Sequence, residues 1–353
     1  SFIFGTPLSF LEHHIKQGNS LIGCSRKKFE KALSDAENEF GLLKEKFQQK
    51  REVLFELYKK LSSLRDTTSE DIKQSNKIYR EEIQPIIDDI SFFFDCLTMK
   101  EIKKIQGIKV QPCRELFEKI DTYLNENKND SDGKKLIEEI KQYKNIYGFF
   151  NWALEFPEAF ANGSTSGFHV IIGNPPWDKT KFSDVDFFSQ YRSNYKTRAV
   201  GNSKKKEIRD ELLGNATIAQ KYTEQQQNIK IVNDYYKNNY PRNAGTGDGN
   251  LFRFFVEKNL ELLRAGGTLN YILPTGFMTE DGSETLRKYV LANHHILAFD
   301  GFENREGLFP DIHRAYKFGL LQSHNLLPTD ERHISLPRQS LRLKRQSLVA
   351  ASC

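Results

Sequence analysis

Cysteine is scarce in this 353-residue chain, and its four residues stand far apart, at Cys24, Cys96, Cys113 and Cys353. Without a C-x-x-C pair they offer neither a disulfide framework nor a metal-binding knuckle, and no metal site is expected. Reduced thiols in a cytoplasm are the simplest reading. No run of eighteen apolar residues occurs, so no membrane span is expected. The opening "SFIFGTPLSF" has no basic n-region and starts at Ser1, which argues against a signal peptide. An excess of one charge is missing too. Between Arg332 and Cys353 there are five basic residues and no acid, and subtracting these from 52 leaves 47 against 47 acidic residues. The net charge of +5 therefore belongs to the tail, and global charge says nothing about nucleic-acid binding.

Aromatics, by contrast, are plentiful. With 27 Phe and 14 Tyr the chain can fill one large α/β domain with insertions, or two domains of ordinary size. Residues 1–24 hold a strand-like segment, "HHIKQGNSLIGC", turning at Gly18-Asn19-Ser20. From 25 to 147 the chain becomes charged and helical. Phe29, Leu33, Ala36, Phe40, Leu43, Phe47, Leu54, Leu57, Leu61 and Leu64 follow steps of three and four, which predicts one long helix with a coiled-coil-like seam. "RDTTSED" breaks it, and Ile72 to Leu97 reads as a return helix kinked at Pro85. An antiparallel helical hairpin is the expected architecture.

Residues 148–322 alternate strand and helix. "GFHVIIG" reads as a buried strand, followed by a polar insertion over 178–249. An amphipathic helix from Asn250 stops at Gly266-Gly267, and "TLNYILP" is the next strand. A helix over Ser283–Asn293 and the strands "HILAFDGF" and "AYKFGLLQ" complete a mostly parallel sheet with helices on its faces. Residues 323–353 read as a basic, disordered tail.

The chemistry concentrates in Asn174-Pro175-Pro176-Trp177, directly after the most apolar strand. Ligands of open α/β sheets lie beyond the carboxyl ends of strands. Asn174 precedes a proline and is held extended, with a side-chain carbonyl acceptor. The carbonyl of Pro175 is fixed by two successive rings. Two rigid acceptors suit an NH₂ group, and Trp177 adds a flat face for a planar ring. An exocyclic amine on adenine or cytosine meets these demands, once the base is flipped out of its duplex. A rigid strand-to-loop turn is the plainer alternative.

"IIGNPPW" resembles motif IV of the amino-methylating DNA methyltransferases, in the Asn-Pro-Pro-aromatic form of N6-adenine enzymes. "FNWALEFPEAF", "PLSFLEHHIKQGNSLIG", "NLFRFFVEKNLELLRAGGTLNYILPTGF" and "GFENREGLFPDIHRAYKFGLLQ" are similar, in order, to blocks of the large fused type II (type IIG) restriction–modification methylases and related phage-defence enzymes. The resemblance implies part of a Rossmann-like class I S-adenosylmethionine-dependent methyltransferase sheet, carrying the helical hairpin as an insertion. It implies site-specific methylation of a flipped adenine at N6, with Asn174, Pro175, Pro176 and Trp177 as catalytic residues and double-stranded DNA as partner. Asn19 falls where an acidic residue of that family often meets the cofactor. His169 stands in place of the usual Asp, and Asn151 in place of the usual His.

In that family the Gly-rich cofactor turn lies upstream of the "PLSFLEHHI" block, so it is expected outside this chain, as is a target-recognition region. "GTGDGN" follows no buried strand and reads as a loop. The chain alone is therefore expected to have little activity. Two other readings stay open: an inactive fragment serving as an interaction module, and a methyltransferase acting on RNA or on protein glutamine. After the motif, Lys179, Lys181, Arg198, Lys204 and Lys205 are candidate phosphate contacts, interleaved with Phe182, Phe187, Phe188, Tyr191 and Tyr195. A solvated insertion with its own small core would give the same pattern.

Overall fold

A computed structural model describes residues 14–34, 41–64, 68–160, 166–197, 200–243, 249–310 and 312–326. The basic tail, Arg198 and most of "GTGDGN" lie outside these. The chain divides into two compact units between Phe168 and His169. Among the described residues no helix is long and apolar enough to cross a membrane.

The first unit is helical. Its helices are α1 (Arg26–Ser34), α2 (Gly41–Ser63), α3 (Ser69–Lys77), α4 (Gln84–Ile105), α5 (Cys113–Asp121) and α6 (Ser131–Tyr147), then the single turns α7 (Trp152–Glu155) and α8 (Pro157–Phe160). Lys50 pairs with Asp89 at 3.0 Å and Lys60 with Glu82 at 3.6 Å, so α2 runs antiparallel to the stretch from Glu82 into α4. The single long helix predicted over Phe29–Leu64 does not form: the rings of Phe29 in α1 and Phe47 in α2 meet at 5.0 Å, where one continuous helix would hold them about 27 Å apart. The predicted irregularity at Pro85 takes the form of a π-helical turn over Ile78–Ile83, just before it. Proline cannot donate to the ladder and crowds the carbonyl four residues back, and a widened turn relieves both constraints. Phe29, Phe47, Phe93, Phe94 and Phe117 form the aromatic centre, with Phe29 stacked on Phe94 at 4.2 Å.

No strand forms at "HHIKQGNSLIGC" over the described residues 14–24, contrary to the sequence expectation. The segment is an irregular turn because its backbone bonds go to the far end of the helical insertion. Asn19 N donates to Gly148 O at 2.6 Å, and Phe150 N donates to Ile22 O at 2.8 Å. Gly148, at φ +68°, ends α6 in the left-handed conformation that favours glycine. Gly23 sits so close to Phe150 O that a side chain would overlap that carbonyl.

The second unit contains β1 (Phe168–Gly173), α9 (Asp184–Ser189), α10 (Asn202–Leu213), α11 (Ala216–Asn239), α12 (Leu251–Leu262), β2 (Leu263–Pro274), α13 (Gly276–Thr279), α14 (Glu284–Asn293), β3 (His294–Glu303) and β4 (Lys317–Asn325). The four strands make one sheet in the order β1-β2-β4-β3. The α/β class read from the sequence is the class observed. β4 lies between β2 and β3 and is antiparallel to both, in place of the mostly parallel sheet that the sequence predicts; β4 turns back after β3 instead of crossing over through a helix. The glycines Gly266-Gly267 do not end a helix: α12 stops at Leu262, and Gly266 adopts φ +73° inside β2.

Helices cover one face of this sheet. Phe252, Val256 and Leu260 of α12 and Leu286 and Val290 of α14 pack on Leu269, Tyr271, Leu273 and Leu321. The other face stays open, with Val170 53%, Ile172 78% and Leu320 41% exposed. The strand expected to be buried on both sides is an edge strand of this sheet, and Ile171 is its partly buried contact with the core under α12. The insertion after β1 has a core of its own, in which Phe187, Phe188, Tyr195, Ile208, Leu212 and Tyr222 meet. Its far end is pinned to α12 by buried Glu257, which accepts from Arg242 Nη1 at 3.0 Å and Asn243 Nδ2 at 2.6 Å.

Candidate functional site

Asn174 to Trp177 leave β1 as extended backbone without regular structure. Pro175 is buried, Asn174 and Pro176 are exposed, and Trp177 is half-buried. Pro175 thus anchors the segment while Asn174 stays exposed.

The loop beyond is tied to the start of α12. Leu251 N donates to Asp178 O at 3.0 Å, and Thr180 N donates to Gly249 O at 2.9 Å. Lys179 and Asn250 form a β-bridge between these bonds. Asn250 is the N-cap of α12, yet its side chain makes no capping bond. Its Oδ1, like Nε1 of Trp177, is buried without a hydrogen-bond partner among the described residues.

Aromatic rings from the β3–β4 connection surround Trp177. Tyr316 lies nearly parallel to it, at 5.5 Å between centroids and 13° between planes. Phe318 is at 6.3 Å and 29°, and Phe309 meets it edge-on at 5.5 Å and 64°. Phe318 pairs with Pro274, the last residue of β2. Residues leaving β1 therefore reach the end of the sheet where β2 also finishes, the place where open α/β sheets hold their ligands. These three rings were missed from sequence, although "GLFPDIHRAYKF" displays the aromatics that supply them.

Burial lowers the pKa of the Arg253 guanidinium, and the Glu280 carboxylate acts against that shift. The Tyr316 hydroxyl is raised, first by burial and then by the same Glu280. Arg305 pairs with Glu303 on the surface, two residues away.

The candidate phosphate contacts are dispersed. Lys179 and Lys181 are exposed directly after the motif, Lys204 pairs with Glu207 at 2.7 Å, and Lys205 lies over the Tyr195 ring at 5.8 Å. The interleaved aromatics Phe187, Phe188 and Tyr195 are inside the insertion's core and cannot stack on bases. Asn19 belongs to the first unit. Its Oδ1 accepts from Leu21 N at 3.1 Å, so its acceptor is spent on holding the turn.

The Eco57I restriction-modification methylase family matches residues 10–206 and 222–309, more than half of the chain. Among solved structures, a protein of Listeria monocytogenes described as a class I S-adenosylmethionine-dependent methyltransferase is similar at 11% identity. The similarity covers 78% of this chain and 81% of that one with a TM-score of 0.24, too low to carry an argument. No curated protein matches the chain.

Proposed function

The chain belongs to the Eco57I restriction-modification methylase family, and from that premise we propose that it serves methylation of adenine N6 in DNA. Membership makes it a methylase chain with S-adenosylmethionine as methyl donor and DNA as substrate. The finer reading rests on one observation: Asn174-Pro175-Pro176-Trp177 at the carboxyl end of β1, with Asn174 exposed and the indole of Trp177 beside it.

In this reading Asn174 Oδ1 and the Pro175 carbonyl each accept one hydrogen from the adenine amine. That draws the amine nitrogen toward a pyramidal, more nucleophilic state and fixes its direction. Trp177 stacks on the ring, which must have left its duplex to arrive there. Restriction–modification or phage defence, in the fused type IIG arrangement, is the setting this reading favours, with further regions of the same protein supplying target recognition.

S-adenosylmethionine supplies the methyl group in this family. The turn around Asn19, where the resemblance places a cofactor contact, does not fit that role: it holds no acid, and the Asn19 carboxamide oxygen is bonded to Leu21 N.

The test is Asn174→Ala in the complete protein, assayed with DNA and radiolabelled S-adenosylmethionine. Methylation is expected to vanish while cofactor affinity, measured by calorimetry, stays within about twofold. Methylation at the parental rate would refute the assignment.

A further inference from the structure

Trp177 is the one flat surface that the proposed site offers a base, and in this structure it is already covered. Tyr316 lies against it with ring planes 13° apart and centroids 5.5 Å apart. A base sandwiched between two rings needs them about 7 Å apart, two stacking distances of roughly 3.5 Å, so nothing fits between them as they stand.

The rings around Trp177 differ in their freedom to move. Phe318 is 4% exposed and is locked in the sheet between Pro274 and Phe302. Phe309 packs edge-on against Phe318 at 5.1 Å. Tyr316 is 37% exposed, and Trp177 is its one ring contact among the described residues. It rides on the turn that precedes β4, closed by Tyr316 N donating to His313 O at 2.9 Å. A change of side-chain rotamer would take its ring into solvent without disturbing a strand.

We propose that Tyr316 is a placeholder, occupying on Trp177 the position that a flipped base takes and swinging outward when the base arrives. The proposal rests on the reading of Asn174–Trp177 as the base site. It makes Tyr316 a positioning residue with two effects. Between turnovers it keeps the indole face out of water. During recognition it sets a threshold: an incoming ring must stack on Trp177 better than a tyrosine does. Purines, with the larger stacking surface, pass that threshold more easily than pyrimidines.

The experiment compares the affinities of the full chain for a fluorescently labelled single-stranded oligodeoxyadenylate and for its abasic counterpart. The ratio of the two isolates the base from the phosphates. Tyr316→Ala is expected to raise the ratio about tenfold, because the competent fraction is no longer limited by the tyrosine. Tyr316→Phe, which stacks alike, is expected to stay at the wild-type ratio, and Trp177→Ala to bring it to one in either background. Circular dichroism checks that each variant folds. A ratio lowered in Tyr316→Ala would overturn the proposal by making Tyr316 a second stacking face, and an unchanged ratio would overturn it by showing the seat is not contested. A ratio of one in both wild type and Tyr316→Ala would show that Trp177 seats no base, and the base-site reading would fail with it.

Discussion

Asn151 donates its Nδ2–H to the carboxylate of Asp95 at 2.6 Å, both side chains being buried. Its Oδ1 accepts the backbone N–H of Cys24 at 2.9 Å, and Lys144 completes the cluster with a 2.9 Å bond to Asp95. One carboxamide therefore links the turn at residues 18–24 to the middle of α4, 56 residues away from it in sequence at Asp95. Removing it takes one donor from buried Asp95, which keeps Lys144, and takes the Oδ1 acceptor from Cys24 N. Asn151→Ala is expected to destabilise the first unit by about 2–4 kcal/mol, from one to two for each of the two lost bonds. Urea unfolding followed by circular dichroism measures this, and a loss below about 1 kcal/mol would show that water replaces the carboxamide.

His294 gives the second unit a dependence on acid. Burial, and secondarily the neighbouring His324, push its pKa from 6.5 down to about 4. The unfolded chain then takes up a proton below about pH 6.5 that the folded chain refuses until about pH 4. Stability contributed by the neutral imidazole is present above pH 6.5 and is lost progressively as pH falls through that window, by at most about 3 kcal/mol. His294→Leu should flatten the profile between pH 7 and pH 4. Urea midpoints of the two proteins across that range decide it: parallel curves would mean that the fold leaves the protonation of His294 unchanged.

Features with a local cause were more legible in the sequence than those set by distant partners. The hydrophobic run before Asn174 and the break at Pro175 locate a strand end, because a proline pair cannot continue a ladder whatever lies around it. The seam of α2 was legible for a similar reason: helical periodicity survives in any packing that buries one stripe. Exposure of β1 was not legible. Val170 and Ile172 look like core residues, and only the strand order and the side on which α12 and α14 lie reveal that they are not. "HHIKQGNSLIGC" failed as a strand because its partners are Gly148 and Phe150, more than a hundred residues away. Tyr316 escaped notice since nothing local ties it to Trp177; β4, running back beside β2, brings them together.

The open sheet face makes two adjacent residues behave oppositely. Ile172 is 78% exposed, whereas Ile171 packs against the core beneath α12. Ile172→Lys is expected to change stability by less than about 0.5 kcal/mol and to suppress self-association, since a charge on an edge strand discourages further pairing. Ile171→Lys should cost about 2–3 kcal/mol, because it buries a charged amine without a partner. Thermal unfolding and light scattering on both variants test this. Equal destabilisation would mean that the face bearing Ile172 is covered in solution.

Contact of the segment after the motif with DNA phosphates has a signature separate from base recognition. Lys181 is exposed and follows Trp177 by four residues in sequence. Arg209 pairs with Asp184 at 3.4 Å and lies 5.7 Å from the Tyr222 ring centre. If Lys181 meets a phosphate, replacing it releases one counterion fewer on binding. For Lys181→Ala the slope of log affinity against log salt should become shallower by about 1 on any duplex, with no change in preference among sequences. Arg209→Ala should leave the slope alone and instead loosen the insertion's core, because its charge is already spent on Asp184. Fluorescence anisotropy with a labelled random-sequence duplex, from low to moderate salt, separates the two. An unaltered slope for Lys181→Ala would exclude that lysine from the phosphate path, and a shallower slope for Arg209→Ala would show that its pair with Asp184 opens on binding.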